Sequence, residues 1–358
     1  MILKKIRKNN ISKKCILILF ILIISMGKKK LKEKEIIMDN SYKKSHFDNN
    51  KNEDSQKLKL SSELLVIYSN LYDHARNGYI KPKFNGRNKK YSKSNNKHIC
   101  LCSIGKGENL YIREFVNYYY SIGIDKIFLY DNNREEEQSF ANILDDYIMN
   151  KFVEIINVRG LESIQIPIYN YCYHKHKKYC DWIGFLDIDE YLYIENNKNI
   201  KDYFLNTKFD KCETVFFNWI IYNDNNLITY DNRSLIERFT HPALNHSSGK
   251  SFVRGNIENV MVPTSHMPGI NVHQFCNSKG ENIYPKNFLS NIFEENPKAY
   301  IKHYYTKTIE EFCNKINRGD AHFHKNHPNY ISTIKNKLRF FYQLNKITKE
   351  KINNRYND

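Results

Sequence analysis

The chain has 358 residues, 41% of them hydrophobic, enough for one large domain or two smaller ones with a real core. Its formal net charge of +17 points towards nucleic acid until it is located: residues 1–98 hold 24 Lys+Arg against 8 Asp+Glu, and the remainder holds 32 against 31. That near-neutral remainder excludes a broad polyanion-binding face and leaves only local sites for small anions.

The basic arm comes first. Lys4, Lys5, Arg7, Lys8, Lys13 and Lys14 precede an apolar run from Cys15 to Met26, and Lys28-Lys29-Lys30 follows it. As a helix this run reaches only ~18 Å, against ~30 Å of bilayer hydrocarbon. It fits an uncleaved signal anchor, a peripheral membrane arm, or an extension ahead of a start at Met26. Membrane association through residues 1–30 is the expectation, because basic residues beside an apolar run favour anionic headgroups. Residues 27–60 are polar and Lys/Asn-rich. Ser61 to Gly78 has helical spacing, and Pro82 to Lys97 reads as a linker. The arm has few interleaved aromatics, so no nucleic-acid partner is expected.

From His98 onward, strand and helix patterns alternate. Ile99 to Ile104 reads as a strand. Asn109 can cap a helix with Ile112, Phe115, Val116 and Tyr119 inward, and Gly123 stands where a C′ residue belongs. Lys126 to Tyr130 is a second strand, and Phe140, Ile143, Leu144, Tyr147 and Ile148 mark a second helix. Phe152 to Val158 is a third strand, Ser163 to about Lys178 a third helix, and Asp181 to Leu186 a fourth strand. This order predicts an α/β domain with a mostly parallel sheet flanked by helices. Such sheets bind ligands at the carboxyl ends of their strands. The expected domains are the arm over 1–97, the catalytic α/β domain over 98–295, and a helical segment over 296–358.

The strand ends carry the candidate chemistry. Asp187-Ile188-Asp189 follows the fourth strand, and alternation puts both carboxylates on one side. Two hard oxygen ligands there suit Mg²⁺ or Mn²⁺ bridging a diphosphate, although a solvated strand end would show the same pair. Glu190 adds a third carboxylate. Gly105-Lys106-Gly107-Glu108-Asn109 opens the first helix, where backbone amides attract phosphate; it is neither a P-loop nor a dinucleotide fingerprint, and an ordinary turn fits as well. Asp131 after the second strand can accept from a base or ribose, or simply form a turn. Arg159 after the third strand is a candidate phosphate contact. Eight cysteines at positions 15, 100, 102, 172, 180, 212, 276 and 313 form no CxxC pair and no zinc spacing, and are read as reduced fillers. Thr308 and Glu311 match a capping box.

These blocks, in order, resemble glycosyltransferase family 92 and bacterial family 2-like glycosyltransferases. The run is Lys106-Gly107-Glu108-Asn109, Tyr130-Asp131-Asn132-Asn133, Arg159-Gly160 with Gln165, Asp181-Trp182-Ile183 and Asp187-Ile188-Asp189-Glu190. Later blocks are Asn218-Trp219, Asn223-Asp224-Asn225-Asn226, Glu237-Arg238-Phe239, Lys250 to Arg254 and His303 to Lys307. The resemblance covers roughly residues 98–320. It implies a GT-A nucleotide-diphospho-sugar transferase fold, a UDP-type sugar donor, a divalent metal and a glycan or glycolipid acceptor. Carried over, Glu108 and Asp131 line the nucleoside pocket, with Lys106, Arg159 and Gln165 also on the donor. Asp187 and Asp189 contact ribose and metal. His303 is the later metal ligand, with His273 its competitor. Glu237, then Asp224, are candidates for the base of an inverting transfer, and Trp219 for stacking on an acceptor sugar. The rival class is a non-catalytic, membrane-tethered sugar-nucleotide or glycan-binding protein on the same fold. A cytoplasmic catalytic domain is expected for a bacterial source and a luminal one for a eukaryotic source; composition and the bacterial likeness favour the former.

Overall fold

The computed structural model describes residues 97–355 apart from 198, 259, 261, 263–265, 267–271, 284–292 and 319–328. The apolar run at 15–26 and the helical spacing at 61–78 lie outside the described residues. Among the described residues, no helix is long and apolar enough to cross a membrane.

Strand β1, Ile99–Gly105, shows how the sequence builds the layers. Ile99 and Leu101 enter one core, with Ile112, Phe115, Val116 and Tyr119 of helix α1 (Ile112–Ser121). Cys100 and Cys102 point the other way, to a second core with Ile168, Tyr169, Cys172 and Tyr173 of helix α3 (Gln165–His176). Strands β2 (Lys126–Asp131) and β4 (Trp182–Phe185) divide their side chains similarly: Ile127, Leu129 and Trp182 go to the first core, and Phe128, Tyr130, Ile183 and Phe185 to the second. A period of two with both faces buried makes a central sheet strand.

Among the described residues, the sheet has nine strands. Strand β3 (Val153–Asn157) starts the order β3-β2-β1-β4, all parallel. β7 (Pro242–Arg254) then pairs antiparallel with β4 and with β6 (Thr214–Tyr222). β9 (Ala299–His303) lies parallel to β6, and β5 (Glu190–Ile194), which leads into the short helix α4 (Ile200–Phe204), runs antiparallel to β9. The short β8 (Phe275–Cys276) pairs with β6. This is the expected α/β fold with a mostly parallel sheet. Its β9 comes from beyond residue 295, so the sheet draws on the C-terminal segment. That segment continues into helices α6 (Ile309–Arg318) and α7 (Tyr330–Arg355). One consequence governs the site: the ends of β1, β2, β4, β6 and β9 share a single carboxyl edge.

Three local expectations change. Asn109 does not cap α1, whose N-cap is Tyr111 without a side-chain bond; the Asn109 amide instead donates to Gln138 O. The second helix is a 3₁₀ turn at Phe140–Asn142 followed by the short α2, Asp145–Met149. The cysteines are paired rather than reduced. Cys100–Cys180, Cys102–Cys172 and Cys212–Cys276 form disulfides with Cα separations of 6.0, 6.4 and 5.8 Å, and Cys313 is buried. Gly123 does sit at C′ with φ of 92°, and the Thr308–Glu311 capping box is present in both directions.

Candidate functional site

The buried strand β4 ends at Phe185, and two residues on the chain delivers Asp187. Its Oδ1 accepts from Gln165 Nε2 at 2.8 Å and Tyr169 OH at 3.1 Å. Gln165 and Tyr169 stand one turn apart on α3, so a single helix face presents both donors. Its Oδ2 accepts from Lys250 Nζ at 2.9 Å. Lys250 is fully buried, and its ammonium also lies 3.5 Å from Glu190 Oε2. Burial opposes ionisation of Asp187, but Lys250 outweighs it and holds the carboxyl below its usual range. Glu190 goes the other way: burial, with the charges of Asp187 and Asp189, raises it well above the usual range despite Lys250.

Asp189 meets a different set. Its Oδ2 lies 2.7 Å from Lys315 Nζ and 4.0 Å from Lys307 Nζ, and its Oδ1 lies 3.6 Å from His303 Nε2. Burial works against this anion, yet Lys315, then His303 and Lys307, hold it well below the ordinary carboxylate range. Burial lowers His303, which favours the neutral ring that a metal ligand needs. Glu108 completes the ring of charge, 3.2 Å from Lys307 Nζ and 2.6 Å from Arg318 Nη1. Arg318 also donates to the carbonyls of Lys106 and Gly107. Helix α6 thereby ties the β1–α1 turn to the acidic motif.

The structure gathers Glu108, Gln165, Asp187, Asp189 and His303 at one edge. Trp219 joins them, its ring centroid 4.5 Å from that of His303. Asp224 is buried two residues beyond β6 on the same edge, its Oδ1 accepting from Asn226 N at 3.0 Å. Other candidates have structural work. Asp131 accepts from Asn133 N, Ser139 Oγ and Phe140 N, all within its own loop. Arg159 clasps the carbonyls of Arg134, Glu135 and Glu137. Glu237 is exposed and closes a capping box with Ser234 on helix α5, Leu235–Arg238. His273 precedes β8 and donates its backbone N–H to Glu213, beside the start of β6, so it sits at the opposite end of the sheet from His303. Lys250, Lys307, Lys315, Arg318 and Tyr169 had no assigned role from sequence. Lys250 and Lys307 stood within the resemblance blocks without a role, and Lys315 and Arg318 showed only as cations three residues apart after His303.

A divalent metal is implied by the resemblance. Among the described residues, no group of three or more His, Cys, Asp and Glu side chains is gathered as a metal cage. Asp189 and His303 nevertheless fit two positions of a hard, six-coordinate cation that takes its other ligands from water and diphosphate. The buried Nδ1 of His303 has no hydrogen-bond partner among the described residues, so the ring is not fixed by a second bond. Asp187 does not fit as a third ligand while Gln165, Tyr169 and Lys250 occupy both its oxygens.

The family model for glycosyltransferase family 92 matches residues 95–339. The chain belongs to glycosyltransferase family 92. A family 92 protein of Ricinus communis is 27% identical over 104 residues, which is 29% of this chain and 18% of that protein. One of Arabidopsis thaliana is 28% identical over 115 residues, 31% of this chain and 19% of its own length. The matches thus span under a fifth of these curated relatives. Among solved structures, Staphylococcus aureus TarS 1-349 in complex with UDP-GlcNAc is 10% identical, with 55% of this chain and 62% of that chain covered and a TM-score of 0.35. The mannosyltransferase PcManGT of Pyrobaculum calidifontis, in complex with GDP-Man and Mn²⁺, is 8% identical, with 46% and 47% covered and a TM-score of 0.25. In this family 92 chain, helix α6 packs over the acidic motif at the end of β4, bringing Lys315 to Asp189 and Arg318 to Glu108.

Proposed function

We propose that this chain transfers a sugar from a nucleoside-diphosphate sugar, of the UDP type, to a hydroxyl of a glycan or glycolipid. The observation that carries the reading is Asp187-Ile188-Asp189 at a buried strand's carboxyl end, ringed by His303, Lys307, Lys315 and Arg318. Asp187, oriented by Gln165 and Tyr169, is suited to accept from a ribose hydroxyl. Lys307, Lys315 and Arg318 are suited to the diphosphate oxygens. Mg²⁺ or Mn²⁺ held by Asp189 and His303 would offset charge on the leaving diphosphate. Asp224 is our choice of base over Glu237, because Glu237 is consumed in a helix cap. Its carboxylate would take the proton of the acceptor hydroxyl as that oxygen bonds the anomeric carbon, while the bond from that carbon to the diphosphate breaks with inversion. Trp219, beside His303, would carry the acceptor sugar on its ring face.

We also propose that the domain matures in an oxidising compartment rather than the cytoplasm, with residues 1–30 associating with a membrane. Three disulfides support the first part. Alkylation of the denatured, unreduced protein should leave those six cysteines unlabelled, and flotation with anionic vesicles should require residues 1–30.

Calorimetric titration of UDP into the oxidised full-length chain, with and without Mn²⁺, tests the donor site. Metal-dependent binding lost in Asp189→Asn supports it. Failure of UDP and the other nucleoside diphosphates to bind folded protein with metal present would sink it and favour a glycan-binding role.

A further inference from the structure

Each carboxyl group of the cluster already has a cation. Lys250 sits between Asp187 and Glu190, Lys307 and Arg318 face Glu108, and Lys315 faces Asp189. The contact of Lys315 with Asp189, at 2.7 Å, is the shortest made by that carboxylate, and it holds Oδ2, while Oδ1 is the oxygen that faces His303 at 3.6 Å. The ammonium is held in place by two further contacts, a hydrogen bond to Tyr305 O at 3.2 Å and the Tyr305 ring face at 4.4 Å. Lys315 comes from α6, a separate element that arrives 126 residues after Asp189. It therefore meets Asp189 only because α6 packs over the site.

A divalent cation arriving alone between Asp189 and His303 would set new positive charge beside the half-buried Lys315 ammonium, on the carboxylate that Lys315 already pairs with. That is unfavourable, because two cations sharing one buried carboxylate repel each other and neither is fully paired. A diphosphate arriving with the cation changes the balance, since it offers Lys315 anionic oxygens in exchange for Asp189. We propose that Lys315 is a resident counter-cation on Asp189 that makes divalent-cation binding conditional on the donor's diphosphate. The inference rests on the nucleotide-sugar reading above and adds to it an order of events: metal and nucleotide enter together, and α6 is the element that registers their arrival. Lys307, 4.0 Å from the same oxygen and paired at 3.2 Å with Glu108, lies next in line to take up the exchanged contact.

The test counts free Mn²⁺ by electron paramagnetic resonance while MnCl₂ is titrated into the oxidised full-length chain, with and without UDP. Complexation of Mn²⁺ by UDP is measured in a protein-free control. The wild-type chain should bind Mn²⁺ weakly alone and about 10-fold or more tightly with UDP, within the usual range of coupling between two ligands. Lys315→Met should bind Mn²⁺ alone tighter than wild type by a similar factor, and UDP should add little more. Lys315→Gln repeats this with a neutral side chain that still reaches Tyr305 O, and Lys315→Arg should restore the wild-type suppression. Folded Met and Gln variants that bind Mn²⁺ no better than wild type overturn the inference. So does a wild-type Mn²⁺ affinity indifferent to UDP, or UDP binding unchanged by EDTA, which would assign the diphosphate to the cations alone. Binding of neither Mn²⁺ nor UDP overturns the donor-site reading as well; binding of both without coupling overturns this inference only.

Discussion

Asp131 and Asp187 stand at the same edge of the sheet, on strands two places apart in its order, yet they are held in opposite ways. The carboxylate of Asp131 accepts from three groups within nine residues of it, two of them backbone N–H groups. Asp187 and Asp189 are held by side chains 18 to 126 residues away, among them three lysines. A local backbone amide cannot leave without unmaking its turn. A lysine on a flexible stem can leave, and it can find a new anion without refolding anything. Acids that look alike in the sequence are thus sorted by the reach of their partners.

Five experiments press on this contrast. Asp189→Asn should cost UDP binding in the presence of Mn²⁺ about 100-fold or more, near 3 kcal/mol, by calorimetry; a loss below about threefold would break the contrast at its functional end. Cys102→Ser with Cys172→Ser opens a bridge of 70 residues' separation beneath the sheet, and should lower the unfolding free energy in urea by about 2–4 kcal/mol. Nucleotide affinity at low denaturant should hardly move, which separates frame from site. His176 tests a third kind of holding, by burial alone. It stacks on Phe128 at 3.4 Å, and burial, helped by Lys175 and Lys126, lowers it to about 4 from 6.5. The fold therefore binds this proton less well than the unfolded chain does. Its stabilising share is present above about pH 6.5 and is lost as the pH falls towards 4, by about 1–3 kcal/mol. His176→Phe should flatten thermal stability across that window.

Asp131→Asn exchanges an acceptor oxygen for a donor facing Ser139 or Phe140 N. It should cost about 1–3 kcal/mol of stability and leave UDP affinity within about threefold. A large affinity loss with stability intact would return Asp131 to the nucleoside pocket. Glu237→Ala removes one half of a capping box and should cost only about 0.5–1 kcal/mol, with transfer rate unchanged once donor and acceptor are known.

The fold was legible where both signals of a strand end agreed. The runs at Ile99, Lys126, Phe152 and Asp181 are short, apolar and followed by polar residues, and each became a strand within a residue or two. The Asp187-Ile188-Asp189 motif was legible for the same reason, since a buried strand delivers it. Long-range pairings were not. Nothing in the spacing of Lys315 from Asp189 announces a contact across 126 residues. The disulfides were hidden in the same way, although Cys100 and Cys102 alternate onto one face of β1 and α3 brings Cys172 to that face. Glu237 was ambiguous in the sequence because an acidic residue in a polar loop reads alike as a base or an ion-pair partner, and its reciprocal bonds with Ser234 had no sequence signal that was read.

Gly249 gives the edge a further property. Between Asn218 paired with Gly249 and Trp219 paired with His246, the β6–β7 ladder shifts register, and a Cβ at 249 would fall 1.9 Å from Phe217 O. The next residue is Lys250, the partner of Asp187. Four residues on, Arg254 is pinned by the carbonyls of Cys212 and Phe209. The stretch between these two fixed points works as a ruler with one marked division. Because a strand alternates its faces, deleting or inserting a single residue there would carry Lys250 through the sheet and away from its acid. Variation among relatives should therefore spare the length of this stretch, even where its buried side chains exchange for others of similar volume.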